Sequence, residues 1–199
     1  MLSRFVAEEI ILLVADFMIG YCVNKVRSIV WSMFYRSLGR SSFRHLGKGV
    51  TFQGWVDIPQ KGGRLIIGDG VMICRRVEFS VPKGGELVLG DNVFIGPGTI
   101  ISAHRRVEIG SHSLLGEYVS IHDNNHITSR KDLPIAEQGF TAEALSLGEN
   151  CWIGAHSVLV QGSGLEDCCI LGAGAVLVSK FSRDTTVVGV PARAVRVRR

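Results

Sequence analysis

Fourteen isoleucines and leucines fall on a six-residue grid: Ile67 and Ile73; Leu89, Ile95 and Ile101; Ile109, Leu115 and Ile121; then Leu147, Ile153, Leu159, Leu165, Leu171 and Leu177. An α-helix turns about 100° per residue and does not return every sixth residue to one face, whereas short strands joined by turns can. The residue after the aliphatic is often glycine (Gly68, Gly90, Gly96, Gly110, Gly116, Gly148, Gly154, Gly172), and the fifth position is small or β-branched (Val71, Val93, Thr99, Ser113, Val119, Cys151, Ser157, Ala175). The pattern predicts stacked coils in which the aliphatic points inward, the small residue packs beside it and glycine permits the turn. Such an all-β solenoid pairs each strand with those above and below and needs capped ends.

The grid divides the chain into a helical cap over residues 1–46, a solenoid over 47–188 interrupted by an insertion at 122–146, and a tail over 189–199. Apolar residues at Ile10, Leu13, Val14, Phe17, Met18 and Tyr21 follow helical spacing, and Ile29, Val30, Met33 and Phe34 predict a second helix. Asp16 cuts the apolar run from Ile10 to Cys22, which is shorter than the ~20 uncharged residues of a membrane span. The two helices therefore read as a cap. The alternative, compatible with it, is a peripheral contact with the membrane in which Lys25, Arg27, Arg36 and Arg40 face anionic lipid.

A length of 199 residues with 46% hydrophobic content suits one domain plus a cap. The net charge of +4 is modest, and the basic residues are not interleaved with aromatics, so nucleic-acid binding is not expected. Five cysteines lack Cys-x-x-Cys spacing, which excludes a zinc knuckle or a disulfide framework, and Cys151 and Cys169 take inward positions. The thiols fit a reducing cytoplasm. Glu8 and Glu9 precede the first apolar run and no cleavage motif follows it, so no signal peptide is read.

Regularity stops after Ile121 and resumes at Leu147, and interruptions of a repeat are where chemistry tends to sit. The insertion opens with His122, Asp123, Asn124, Asn125 and His126. Two histidines four apart meet only on a helix, and this stretch leaves a strand for a loop; the glutamate of the zinc-protease motif is also missing, so metal chemistry is not expected. His112 and His156 sit at the fourth position of their hexads, where the turn faces solvent.

With the hexads, the Asp123-Asn124-Asn125-His126 insertion, the block from Leu147 to Ala155, Leu171-Gly172-Ala173-Gly174-Ala175 and Gly189-Val190-Pro191-Ala192-Arg193, the chain resembles the bacterial hexapeptide-repeat acyltransferases, in particular the sugar O-acetyltransferases. The resemblance covers roughly residues 47–196. It implies a left-handed parallel β-helix, an exception to right-handed crossovers, assembled as a homotrimer with acetyl-CoA in clefts between subunits. It implies that His126 removes the proton from an acceptor hydroxyl, a role suited to an imidazole of pKa ~6.5. Asp123 or Glu117 would orient the ring, with a solvated turn carboxylate as the plainer reading of each. Asp123, Asn125 and Trp152 are the expected acceptor-side residues. Gly154, Ala155, Gly172, Ala173, Lys180, Pro191, Arg193 and Arg196 are the expected acetyl-CoA contacts, with guanidinium groups toward phosphates.

Two departures narrow the acceptor. The family's Thr-Lys after its Gly-Ala-Gly block appears as Val178, Ser179 and Lys180, shifted by one, and the acceptor-binding Asn and Asp of galactoside-type enzymes fall near Gly96 and His104. The expectation is a cytoplasmic, metal-free O-acetyltransferase acting on a sugar or polysaccharide precursor, at the inner face of the membrane. N-acetylation of a nucleotide-linked amino sugar is the alternative. A γ-type carbonic anhydrase using His104, His122 and His126, and a scaffold without catalysis, are further rivals.

Overall fold

Each aliphatic of the grid lands in one of three internal columns. The computed structural model describes residues 25–26, 28–37, 43–58 and 62–197; the first expected helix lies outside these residues. Six three-strand turns follow one another, beginning with β1 (His45–Leu46), β2 (Thr51–Phe52) and β3 (Val56–Asp57), then β4 (Arg64–Ile67), β5 (Met72–Ile73) and β6 (Val77–Ser80). The third and fourth turns are β7 (Glu86–Leu89), β8 (Phe94–Ile95), β9 (Ile100–Ser102), β10 (Val107–Ile109), β11 (Leu114–Leu115) and β12 (Ser120–His122). A hairpin of β13 (Asn124–His126) and β14 (Phe140–Ala142) interrupts the winding. It resumes with β15 (Leu145–Leu147), β16 (Trp152–Ile153), β17 (Val158–Leu159), β18 (Gly164–Leu165), β19 (Ile170–Leu171) and β20 (Val176–Leu177), and ends with β21 (Lys180–Phe181), β22 (Thr185–Val188) and β23 (Arg193–Val197).

Strands stack in parallel into three sheets. Sheet one runs β1-β4-β7-β10-β15-β18-β21, sheet two β2-β5-β8-β11-β16-β19-β22-β23, and sheet three β3-β6-β9-β12-β17-β20. In sheet two the register aligns Phe52, Ile73, Ile95, Leu115, Ile153, Leu171 and Val187, all buried. All fourteen grid residues are buried, and so are the small fifth-position residues. Cys151 and Cys169 lie among them, and burial pushes the Cys151 thiol up to about 11, so it packs as a small hydrophobe rather than reacting as a thiolate. Truncating any one of the large aliphatics to Ala removes ~2–5 kcal/mol.

Both ends of the stack are covered. The helix at 28–37 lays Trp31 and Tyr35 on the first turn, with the Tyr35 and Phe52 rings 4.4 Å apart. Its polar atoms satisfy the open strand edge: Tyr35 Oη donates to Val56 O and accepts from Val56 N, both at 2.8 Å, and Ser32 Oγ accepts from Phe52 N at 3.0 Å. The helix is where the spacing placed it, but on a different face. Ser28, Trp31, Ser32 and Tyr35 turn inward, while Ile29, Val30 and Met33 are exposed. At the other end β23 runs antiparallel to β22.

Candidate active site

The hairpin that carries His126 is rooted by Asp123. Period-two alternation from Ile121 turns Asp123 inward, and a carboxylate there is tolerable only if donors surround it. They do: Oδ1 accepts from His104 N, and Oδ2 from Arg105 N and Arg106 N, each at 2.7 Å. Asp123 O also accepts from Glu143 N at 2.8 Å, closing the base of the hairpin. Asp123 is fully buried, which overturns the solvated turn carboxylate expected of it. Its oxygens are committed to the backbone of 104–106, so it positions the hairpin rather than facing a ligand.

Above this root, Asn124, Asn125 and His126 pair with Ala142, Thr141 and Phe140. Asn124 Oδ1 accepts from Ser102 Oγ at 3.1 Å, tying the hairpin to sheet three. Asn125 and His126 are exposed. The His126 ring lies 4.3 Å from the Phe140 ring, which is also 5.5 Å from the His104 ring. The hairpin tip is braced by Gln138, whose Nε2 donates to Arg130 O at 2.7 Å and Leu133 O at 2.9 Å while Oε1 accepts from Arg130 N at 3.0 Å. The exposed imidazole thus rests on an aromatic ring near the root of a hairpin that is braced at its tip.

His122 lies outside this hairpin, on the outer face of sheet three, half-buried with Nε2 2.8 Å from Ser120 Oγ. Burial pushes its pKa down, Asp123 and Glu78 oppose the shift and His104 reinforces it. The ring is therefore neutral around pH 7. Among the described residues no three His, Cys, Asp or Glu side chains gather to hold a metal.

A second group of expected residues meets at the corner between sheets two and three. The turns beginning at Gly116, Gly154 and Gly172 stack so closely that a Cβ on Gly154 would lie 2.4 Å from Ala173 N, and one on Gly116 2.7 Å from Ala155 N. Only glycine permits this approach. Gly174 N donates to Ala155 O at 2.8 Å, linking the two Gly-Ala turns. No described hydrogen bond uses the N–H of Ala155 or of Ala173, which leaves two donors one coil apart for a ligand or water. The C-terminal segment continues this corner: Val176 N donates to Gly189 O at 3.0 Å and Ala192 N to Val176 O at 2.8 Å, bringing Pro191 beside the Gly172 turn. Arg193 and Arg196 are exposed on β23.

Trp152 points outward from sheet two, 55% exposed, between Leu114 and Ile170 in register. Lys180 is elsewhere: it pairs with Gly164 in sheet one, away from the Gly-Ala corner. The sequence reading missed Phe140, whose place against His126 depends on hairpin pairing, and the stacked Tyr118 and His156 rings, 5.2 Å apart at the corner beside Ala155. Both stacked residues adopt left-handed backbone angles, φ 54° and 58°, at the fourth hexad position.

Within one chain the two groups do not meet. The hairpin leaves the corner joining sheet three to sheet one, whereas the Gly-Ala turns form the corner joining sheet two to sheet three, and the width of sheet three lies between.

No family model matches the chain. A probable acetyltransferase of Mycobacterium tuberculosis is 30% identical over 155 residues, 77% of this chain and 49% of that protein. A putative lipopolysaccharide biosynthesis O-acetyl transferase of Escherichia coli is 24% identical over 103 residues, 48% of this chain and 53% of that protein. The chain thus spans about half the length of these curated relatives. Among solved structures, the N-acyltransferase AntD from Bacillus cereus, in complex with dTDP and 3-hydroxybutyryl-CoA, aligns with a TM-score of 0.70 at 19% identity over 82% of this chain and 88% of that one. That likeness establishes the fold, a left-handed parallel β-helix.

Proposed function

We propose that the protein transfers an acetyl group from acetyl-CoA to a hydroxyl of a sugar or glycan precursor, with His126 as general base. The observation that carries the reading is the pairing of an exposed imidazole on a braced hairpin with two unused backbone donors at a glycine-lined corner. As the hydroxyl oxygen bonds to the thioester carbonyl carbon, its proton passes to the His126 imidazole. The carbonyl oxygen gathers negative charge, which the Ala155 or Ala173 N–H is suited to stabilise. When the carbon–sulfur bond breaks, the imidazolium returns the proton to the departing thiolate, and ester and free thiol are left. Gly154 and Gly172 give the pantetheine arm access to the corner, Pro191 extends it, and Arg193 and Arg196 meet the phosphates. Lys180 has no part in this cleft unless a neighbouring chain brings one to it.

The separation of the hairpin from the Gly-Ala corner supports a homotrimer in which each site combines His126 of one subunit with the corner of the next. The outer face of sheet two, where Met72, Phe94, Leu114, Trp152 and Ile170 align, offers apolar surface for that contact. Mixing an inactive His126→Ala subunit with a CoA-defective Ala173→Asp subunit restores activity if sites are shared; confirmed mixed trimers without activity place each site in one chain.

The acceptor is a sugar in this reading, with Asn125 and Trp152 at its border and Asp123 behind the hairpin root. The curated relative named for lipopolysaccharide biosynthesis and the neighbour bound to dTDP support a glycan or nucleotide-linked sugar. The N-acyltransferase neighbour keeps transfer to an amino sugar as the second reading. Incubating the protein with acetyl-CoA and paired hydroxyl and amino sugars, free and nucleotide-linked, separates the two by the mass of the product. No transfer to any sugar overturns both. A cytoplasmic enzyme, at the inner face of the membrane where the acceptor is lipid-linked, is the setting that goes with this reading. Among the described residues no helix is long and apolar enough to cross a membrane.

A further inference from the structure

The helix at 28–37 is apolar on two sides. One side caps the solenoid through Trp31 and Tyr35, and the opposite side presents Ile29, Val30 and Met33, joined by Val26 of the helical residues 25–26 at matching spacing, each more than half exposed at 52, 59, 66 and 60%. A helix apolar all round is ordinarily buried on all sides. Two aromatics widen the exposed face: Phe34, and Trp55, whose ring lies 5.9 Å from Trp31 and is 56% exposed.

The sequence that builds this end is cationic. From Phe17 to Val56 the sequence contains no Asp or Glu but carries Lys25, Arg27, Arg36, Arg40, Arg44 and Lys48. Arg36, Arg44 and His45, with Phe43 and Leu46, line a recess of about 340 Å³ beside the helix. Arg36 is held there by donating to Val50 O at 3.3 Å.

We propose that this end of the solenoid is a docking surface for a bilayer containing anionic lipid. The Val26, Ile29, Val30 and Met33 face enters the interface, Trp55 sits at headgroup depth, and the Arg36 and Arg44 recess receives lipid phosphate. Apolar burial and cationic attraction together are what hold an interfacial helix at a surface. A protein partner would need acidic groups matched to one geometry, whereas a bilayer meets a diffuse cationic rim of this kind without such matching. The inference rests on the sugar-acyltransferase reading only for its purpose, which is to bring the site to lipid-linked acceptors; the binding itself is independent of catalysis.

The test is co-sedimentation of the full chain with phosphatidylcholine vesicles with and without about 30% phosphatidylglycerol. Binding to the anionic vesicles, weakened by salt, is expected. The double substitution Ile29→Asp and Met33→Asp abolishes it without lowering the melting temperature, and Arg44→Glu weakens it by roughly 25-fold, at about 5-fold per unit of charge. Acetyl transfer to a water-soluble acceptor is unchanged in the double variant, so a failure of binding and a failure of the enzymatic reading are scored separately. No binding by the unaltered chain overturns the proposal, as does binding that survives the double substitution. So does a double variant that melts lower while the unaltered chain ignores vesicles, because the face is then covered by other residues of this chain or by a second copy.

Discussion

Replacing Asp123 with Asn removes the charge at the root of the hairpin while keeping its shape. Three backbone N–H groups, of His104, Arg105 and Arg106, donate to this buried carboxylate at 2.7 Å. An amide offers one oxygen in place of two. The best arrangement keeps the Arg105 and Arg106 bonds, now neutral and about half as strong, and turns an NH2 against the His104 N–H. One charge-assisted bond worth ~1.5–3 kcal/mol is lost outright and two others weaken, a total of ~3 kcal/mol or more. In a chain of this size that lowers the melting temperature by roughly 6–12 °C. The loosened root also displaces His126, so turnover falls together with stability, misplacement by about 1 Å costing on the order of 100-fold. Scanning calorimetry and initial rates read the two effects. An Asp123→Asn protein that melts with the parent and loses only acceptor affinity would refute the structural role and return Asp123 to the acceptor site.

Four further outcomes follow from the geometry. Gly154→Ala places a Cβ 2.4 Å from Ala173 N and forces two coils apart, which costs ~1–3 kcal/mol in urea unfolding and weakens CoA binding. Ala173→Asp sets a carboxylate at the mouth of the proposed cleft, so CoA affinity is lost in a titration while the fold is kept. Cys151→Ser changes unfolding more than rate, because the thiol is buried and its pKa is raised to about 11. His122 has a lowered pKa in the folded protein, so the unfolded chain binds the proton more readily. Its contribution to stability is therefore complete above about pH 6.5 and is lost as pH falls through the folded value. The melting temperature of the parent should drop more between about pH 7 and pH 5 than that of His122→Gln.

Much of the fold was legible because the core is one-dimensional. Each grid aliphatic faces the same interior, so periodicity alone located the columns, and the burial of Cys151 and Cys169 followed from their place in the hexad. The spacing between coils was less regular than the hexads suggested. Ile67 pairs with Leu89 and Leu89 with Ile109, 22 and 20 residues apart, because β4, β6 and β7 are four-residue strands and a loop precedes β7. Helical spacing found the second cap helix but not its buried side, since both of its faces are apolar and only contact with Phe52 and Val56 decides between them. In the candidate site, the repeat marked the turn glycines Gly154 and Gly172, while Ala155 and Ala173 were singled out only by the resemblance to the acyltransferases. The environment of His126 was not, because Phe140 reaches it through antiparallel pairing across a hairpin outside the repeat. Asp123 carried a usable signal: alternation from Ile121 turns it inward, where a carboxylate requires donors.

The role of His126 is tested most directly by measuring, on one preparation of His126→Ala, both CoA affinity and acetyl transfer to an accepted sugar. CoA should bind as it does to the parent, since the Ala155 and Ala173 turns lie at another corner of the solenoid, and turnover should fall by ~100-fold or more. Transfer at the parent rate with CoA still bound would contradict the assignment of His126 as the base.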